Sequence, residues 1–216
     1  SGISKTPSTR FSGLEVLELG AGLGLVSLVC GKLGARAIAT DVVPDILSLI
    51  QRNADENLDA EERSRFRVER LPWGDAAAIE SLDFTSPDVV CMADVAYASN
   101  RAAWPALVAT LQALAMRKIA EDSRLVTKLG EDGDPTLGQP RTTVVEEKKQ
   151  CDFVVLWAHA ARDDVSQVTS PAFQGELLRP LRDFFTITSV DKSNFHPAYR
   201  KSNVCLFALR LKTPVA

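Results

Sequence analysis

The stretch LEVLELGAGLGLVSL, residues 14–28, constrains the fold more than any other part of the sequence. An apolar strand, 14–19, leads into three alternating glycines and then into an apolar helix that starts at Leu25. A turn of this kind brings bare backbone close to a ligand, because glycine has no side chain to keep the ligand away. The pattern therefore predicts a strand–turn–helix unit that binds a ligand at the turn.

The repetition of apolar strands and helices along the chain predicts an α/β fold. Continuous rather than alternating apolar strands favour a parallel sheet whose two faces are both covered by helices. FTITSVD and NVCLFALRLK close the chain as two further strands. The expected fold class is a doubly wound, mostly parallel sheet with an antiparallel C-terminal strand pair. The other predicted strands are 14–19, 35–41, 66–73, 87–97 and 151–164, and the predicted helices include 25–33, 44–57, 104–116 and 173–185.

The length of the chain predicts its domain organisation. A chain of 216 residues can bury one good hydrophobic core, so we expect a single domain over residues 1–216. Residues 117–150 are rich in Gly, Pro and charge and predict a flexible insertion within that domain. A structureless loop of this length is uncommon in a compact domain.

The overall charge narrows the classes of partner. The formal net charge is −3, whereas general affinity for nucleic acid or anionic membranes requires a basic surface. No apolar run reaches the roughly 18–20 residues that span a bilayer. We therefore expect neither a nucleic-acid partner nor a membrane. A monomer is the favoured oligomeric state, as a separate expectation.

The cysteines indicate the compartment and exclude a recognisable metal motif. The spacing of Cys30, Cys91, Cys151 and Cys205 fits neither a zinc nor a redox motif. No cluster of His, Cys and carboxylates suggests a metal, so none is expected. Reduced cysteines among apolar residues are typical of a cytoplasmic or nuclear protein.

The spacing of the glycines separates the candidate ligands. Gly20, Gly22 and Gly24 form G-x-G-x-G, whereas a dinucleotide fold shows G-x-G-x-x-G and a P-loop ends in Gly-Lys-Ser/Thr. Glu18 stands two positions before the first glycine, at the carboxyl end of the first strand. A carboxylate there repels a phosphate and favours a cation. An NAD-dependent enzyme is accordingly disfavoured.

S-adenosylmethionine fits these requirements. It has no phosphate, it carries a sulfonium and an ammonium, and its carboxylate can be held by glycine backbone and helix N-terminal amides. Asp41 ends the second strand, where it can accept hydrogen bonds from both ribose hydroxyls. Two alternatives remain open: Glu18 as a solvated strand end, and Asp41 as a helix N-cap.

Three segments resemble one family. LELGAGLG (17–24) is similar to the first motif of class I, seven-β-strand, S-adenosylmethionine-dependent methyltransferases, which have a Rossmann-like fold. LPWGD (71–75) and MADVAY (92–97) resemble the Trp-Gly and Asp-x-x-Tyr segments of methyltransferase family 16. That group contains lysine methyltransferases that act on valosin-containing protein, chaperones and elongation factors.

The resemblance implies a role for each matching residue. Asp94 and Tyr97 are implied to be catalytic, at the mouth where the methyl group is transferred. The alternative, structural interpretations are a turn residue or helix cap for Asp94, a packing residue for Tyr97 and a core aromatic for Trp73. The cofactor-binding residues implied are Glu18, Gly20, Gly22 and Gly24 at the methionine part, Asp41 at the ribose, Trp73 at the adenine, and Ala93 through its backbone.

The sequence hypothesis is an S-adenosylmethionine-dependent methyltransferase that modifies a lysine side chain of a protein substrate. The alternatives are a methyltransferase for protein histidine, a terminal amine or a small molecule, and an inactive cofactor-binding or interaction module. Departures from the family keep these open. The segment before the first strand is short and has no tryptophan, and the insertion before the fifth strand is unusually long. In addition, HAAR places His159 and Arg162 where relatives often have Tyr-x-x-Arg.

Overall fold

The structure is a computed structural model that describes most of the chain. The described residues are 11–84, 86–131, 153–161, 163–164, 166–200 and 202–212.

A seven-stranded sheet forms the centre of the described structure. Its order is β3-β2-β1-β4-β5-β7-β6. The first five strands pair in parallel, and β7 pairs antiparallel with both β5 and β6. The predicted mostly parallel sheet with an antiparallel C-terminal pair is confirmed. The strands are β1 Glu15–Leu19, β2 Arg36–Asp41, β3 Phe66–Arg70, β4 Val89–Ala93, β5 Val154–Ala160, β6 Phe185–Ser189 and β7 Val204–Leu211.

Helices cover both faces of this sheet. Buried residues alternate between the faces along β1: Leu17 and Leu19 belong to one apolar cluster, and Val16 belongs to the other. Continuous burial of the central strands follows from this two-sided cover, which explains why these strands are apolar throughout. The helices are α1 Leu25–Lys32, α2 Pro44–Asn57, α3 Ala60–Ser64, α4 Ala76–Ser81, α5 Trp104–Glu131 and the short α6 Arg179–Leu181, which continues a π-helical segment, Phe173–Leu178.

Several predicted boundaries are wrong. The strand predicted over 66–73 ends at Arg70, and the strand predicted over 87–97 ends at Ala93. β5 is also shorter than the predicted 151–164. After β3 and β4 the apolar run continues at Leu71, Val95 and Ala96, which are buried in loops at the sheet edge. Tertiary packing, rather than strand geometry, explains the apolar character there.

The predicted helix 104–116 is much longer than expected, since α5 continues to Glu131. The first part of the predicted insertion at 117–150 is therefore helical rather than loop. An i,i+4 ion pair between Lys118 and Asp122 lies on this extension. The rest of the predicted insertion, from 132 onward, lies outside the described residues.

The bounds of two short helices were not predicted. Helix α3 begins with a capping box, in which Asp59 accepts from the N–H of Glu62 and Glu62 accepts from the N–H of Asp59. Helix α4 begins where Asp75 accepts from the N–H of Ala78. Each cap is formed by residues close in sequence. The helices themselves are too short to show the apolar periodicity from which a helix is predicted.

The thiols of Cys30 and Cys91 are free and buried, and the thiol of Cys205 is free and partly buried. Cys151 lies outside the described residues. Within the described part of the chain, no helix is both long and apolar enough to cross a membrane.

Candidate active site

The glycine turn lies at the centre of the carboxyl edge of the sheet. It connects β1 to α1, and β1 pairs with β2 on one side and with β4 on the other. Strands β2 and β3 lie on one side of β1, and β4 and β5 lie on the other side, so the strand order reverses at β1. In open α/β sheets, such a reversal creates the crevice in which ligands bind.

The three glycines of the turn have different surroundings. All have positive φ, at 65° for Gly20, 55° for Gly22 and 76° for Gly24. A Cβ on Gly24 would lie 2.8 Å from Cγ2 of Ile50, so Gly24 is required by packing against α2. A Cβ on Gly22 would meet no described atom within 4 Å. Gly22 therefore presents bare backbone to open space, as a ligand site requires.

Glu18 is buried beneath the turn, with only 3% of its surface exposed. Its carboxylate accepts from the N–H of Ser27 at 2.9 Å and from the Ser27 hydroxyl at 2.6 Å. Burial raises the pKa of Glu18, and the two Ser27 hydrogen bonds partly oppose that shift. The solvated strand end is therefore wrong. The structure joins Glu18 to the first turn of α1, and its contact with a cofactor stays a prediction.

Asp41 is fixed at the end of β2 by backbone amides. One carboxylate oxygen accepts from the N–H groups of Val42 at 2.7 Å and Val43 at 3.1 Å. The other accepts from the N–H of Gly22 at 3.2 Å, which joins Asp41 to the glycine turn. The N-cap of α2 is Val43 rather than Asp41. The carboxylate is partly exposed beside the open side of Gly22, and its ribose contact stays a prediction.

A further contact to the turn was missed by the sequence analysis. The side-chain amide of Asn53, on α2, donates to the carbonyl of Leu23 at 2.9 Å. Asn53 lies 30 residues from the turn, and no local sequence signal connects the two.

Trp73 lies against the glycine turn. A Cβ placed on Gly20 would lie 3.2 Å from Cζ2 of Trp73 and 3.1 Å from Cγ1 of Val95. The ring is partly buried and packs against the main core cluster. The adjacent Gly74 donates its N–H to the hydroxyl of Thr110 on α5 at 2.8 Å. Trp73 therefore has a packing role, and its contact with adenine stays a prediction.

The Asp94–Tyr97 loop follows β4 directly and reaches the same turn through Val95. Asp94 has φ of 56°, and it is the non-glycine residue with positive φ among those described. A left-handed conformation at a non-glycine residue is sparsely populated and is found preferentially at functional sites. The N–H of Asp94 donates to the carbonyl of Ala158 at 3.0 Å, which continues the β4–β5 ladder.

The structure thus brings most of the predicted residues to one edge of the sheet. Trp73 and Val95 both lie next to Gly20, where they would contact an added Cβ. Ala93 is the last residue of β4 and pairs with Ala158 of β5. Asp94 and Tyr97 are each partly exposed at this edge. Their catalytic roles stay predictions.

Asn100 is a second residue that the sequence analysis missed. Its Oδ1 accepts from the N–H of Tyr97 at 3.0 Å and from Nε1 of Trp104 at 3.1 Å. Its Nδ2 donates to the carbonyl of Val95 at 2.7 Å. The available signal was its place three residues after Tyr97, where Asn often bonds to backbone in a tight turn.

His159 is buried close to this edge, with 1% of its surface exposed. Its Nε2 is 2.7 Å from the carbonyl of Ser166, so this nitrogen carries the proton. Its ring packs on Phe173 at a centroid distance of 4.7 Å and on Trp157 at 5.8 Å. These contacts favour a structural histidine. Arg162, named with it, lies outside the described residues.

Among the described residues, no group of three or more His, Cys, Asp or Glu side chains could hold a metal ion.

Comparison with a solved structure defines the class of the fold. The structure of magnesium protoporphyrin IX methyltransferase (ChlM) from Synechocystis PCC 6803 with bound SAH matches with a TM-score of 0.52 and 14% identity. The match covers 94% of this chain and 76% of that one. At this identity the likeness shows the fold alone, which is the Rossmann-like methyltransferase fold.

The family is shown by sequence. A family model described as lysine methyltransferase matches residues 1–127, more than half of the chain. The chain therefore belongs to this family, methyltransferase family 16.

Curated relatives match over a shorter region. Protein-lysine methyltransferase METTL21E of Mus musculus is 42% identical over 90 residues, which cover 39% of this chain and 34% of that protein. Protein N-lysine methyltransferase METTL21A of Danio rerio is 36% identical over 105 residues, covering 47% of this chain and 44% of that protein. The chain thus spans less than half the length of these relatives.

Proposed function

We propose that the chain is an S-adenosylmethionine-dependent methyltransferase that transfers methyl groups to a lysine side chain of a protein substrate. The observation that carries this proposal is the open, positive-φ backbone at Gly22, whose N–H donates to Asp41, in a turn that approaches the Asp94–Tyr97 loop where Gly20 faces Val95. Family membership and the names of the relatives support lysine as the acceptor.

The described residues fit the proposed cofactor. Gly22 leaves room where a side chain would fill the crevice, and no phosphate-binding lysine follows the turn. Asp41 offers a carboxylate, already oriented by three backbone amides, to ribose hydroxyls. Trp73 offers the partly exposed side of its ring to the adenine. When bound, this cofactor supplies a methyl group on a sulfonium, which makes the carbon electrophilic.

Exposed apolar side chains lie on both sides of this crevice. Leu23 and Leu25 flank the turn after β1, with 61% and 69% of their surfaces exposed. Val42 and Val43 follow β2, with 46% and 45% exposed. Because β1 and β2 are adjacent, the two exposed pairs border the same part of the sheet edge. A bound cofactor and a protein substrate would cover such apolar surface.

The residues after β4 would position the acceptor. A lysine amine must be neutral to attack carbon, and its free pKa of about 10.4 falls when the amine is buried. Asp94 can accept a hydrogen bond from that amine and so orient its lone pair along the line of transfer. Tyr97 can contribute an aromatic wall, which attracts methylated ammonium by roughly 0.5–2 kcal/mol. Alignment of the two reactants supplies the main part of the acceleration.

The test is incubation of the protein with S-adenosylmethionine carrying a deuterated methyl group and with cell lysate. The proposal expects deuterated methyl groups on lysine in one or a few protein bands, identified by mass spectrometry. Label confined to histidine, to chain termini or to small molecules would establish an alternative acceptor. Absence of any label, with cofactor bound, would establish an inactive binding module.

We also propose that the protein acts as a monomer in the cytoplasm or nucleus. The buried free thiols of Cys30 and Cys91 support a reducing compartment. Sedimentation and imaging of the tagged protein test these two points.

A further inference from the structure

Hydrogen bonds of Asn100 join the Asp94–Tyr97 loop, whose Val95 and Ala96 are buried in the core, to Trp104. The Asn100 carboxamide makes three hydrogen bonds, one to Val95, one to Tyr97 and one to Trp104. Two of these partners are backbone groups of the loop. The third is the indole N–H of Trp104, which is fully buried and packs edge-on against Phe173 at 6.1 Å.

The loop needs such a contact because Asp94 has an unfavourable backbone conformation. A non-glycine residue at φ of 56° is kept in place only when the surrounding structure over-determines it. On the N-terminal side, the bond from the Asp94 N–H to Ala158 holds it to the sheet. On the C-terminal side, Asn100 holds the carbonyl of the next residue, Val95.

The contact also requires a carboxamide. The bond to the Val95 carbonyl needs a donor, and the bonds from Tyr97 and Trp104 need an acceptor. Asparagine offers both on one short side chain. Aspartate keeps the acceptor and loses the donor, and alanine loses both.

Other contacts fix the segment that follows. The N–H of Ala98 donates to Asp163 at 3.0 Å, and Arg101 forms an ion pair with Glu176. These contacts hold the 3₁₀ turn, Ala98–Ala103, against the elements after β5. They lie outside the backbone between Asp94 and Tyr97, which the carboxamide of Asn100 contacts directly at Val95 and Tyr97.

We propose that Asn100 is a positioning residue for methyl transfer, which holds Asp94 and Tyr97 at the acceptor side of the crevice. This inference rests on the proposed function. Asn100 does not reach the glycine turn or Asp41 in the contacts described, so its loss is expected to affect transfer rather than cofactor binding.

The test compares Asn100→Ala and Asn100→Asp with a matched control, Gln112→Ala. Gln112 lies on α5, and its side-chain amide donates to the carbonyl of Pro180 at 3.2 Å, away from the Asp94–Tyr97 loop. Each variant is assayed for labelled methyl transfer at saturating S-adenosylmethionine, for cofactor affinity by calorimetry and for thermal stability.

The proposal expects transfer by Asn100→Ala to fall at least about tenfold, which corresponds to roughly 1.4 kcal/mol of barrier. Asn100→Asp should fall by less, because it keeps the two acceptor bonds. Both should bind cofactor within about threefold of the wild type, and Gln112→Ala should keep wild-type transfer.

The proposal is overturned if Asn100→Ala transfers methyl groups as fast as the wild type. It is also overturned if transfer falls only in proportion to cofactor affinity, or if Gln112→Ala falls equally. Should Asn100→Ala fail to fold, Asn100→Asp decides by the same criteria. Failure of the wild type to transfer any methyl group would instead refute the proposed function.

Discussion

Ser27 donates two hydrogen bonds to the carboxylate of Glu18, one from its backbone N–H at 2.9 Å and one from its hydroxyl at 2.6 Å. Both residues are buried, and the pair joins the end of β1 to the first turn of α1. The glycine turn lies between these two points. The pair therefore holds together the two elements that the glycine turn connects.

Replacement of Ser27 by alanine removes one of these donors and leaves the carboxylate buried with fewer partners. Hydrogen bonds to charged groups contribute about 1.5–3 kcal/mol, so we expect the free energy of unfolding to fall by about that amount. Urea denaturation measures this. Ser48→Ala is the control, because its exposed hydroxyl donates only to the Pro44 carbonyl. Equal losses in the two variants would contradict the prediction.

Glu18 also predicts a pH dependence of stability. Its pKa is raised in the folded protein, mainly by burial, so the folded state binds the proton more tightly than the unfolded state. Its favourable contribution is present below the unfolded value, near 4.5, and is lost as pH rises through the folded pKa. Relative to Glu18→Gln, the wild type should therefore lose stability as pH rises above about 4.5.

Asp55 provides a control of opposite sign. The hydrogen bond from Arg63 lowers the pKa of Asp55, so its contribution is present above the unfolded value of 3.8 and is lost as pH falls through the folded pKa. Relative to Asp55→Asn, the wild type should gain stability with rising pH. Urea denaturation across this range measures both differences. Slopes of the same sign for the two carboxylates would contradict the assignment.

Gly22 and Gly24 should respond differently to alanine. Both have positive φ, which costs an alanine about 1–2 kcal/mol. A Cβ on Gly24 would also meet Ile50, whereas a Cβ on Gly22 would enter open space. We expect Gly24→Ala to lose more stability, and Gly22→Ala to lose cofactor affinity without further loss of stability. Denaturation and calorimetry separate the two effects, and equal affinity of Gly22→Ala and wild type would be a contrary result.

Asp94 should be required for transfer but not for binding. Asp94→Ala should abolish methyl transfer while cofactor affinity stays near that of the wild type. Asp94→Gly should also lose transfer, yet it should be more stable than Asp94→Ala by about 1 kcal/mol, because glycine adopts the positive φ without strain. Normal turnover by either variant would refute the catalytic role.

Local patterns predicted the part of the fold that local interactions determine. The strand–glycine–helix unit at 14–28 and the start of α2 at Pro44 both carry strong local signals. The part of α5 after Met116 carries no comparably strong local signal. Its charged composition predicted a loop instead. Charged side chains such as Lys118 and Asp122 are compatible with a helix once its apolar face is packed.

The candidate site residues also divide into those that local patterns predict and those that depend on contacts in the folded chain. Motif spacing predicted Gly22 and Asp41 as site residues and the family resemblance implied the Asp94–Tyr97 loop, and all of them follow or end strands at one edge of the sheet. It missed Ser27 and Asn100, since their importance comes from partners that only the folded chain brings near. It also interpreted Glu18 from its charge, whereas burial and the Ser27 hydrogen bonds determine its state.

The most direct test of the account is a crystal structure of the protein with S-adenosylhomocysteine. The account predicts the amino-acid part of that compound along Gly20–Gly24, its ribose hydroxyls on the carboxylate of Asp41 and its sulfur facing the Asp94–Tyr97 loop. An unoccupied crevice at saturating ligand, or a nicotinamide dinucleotide that binds there in its place, would contradict it.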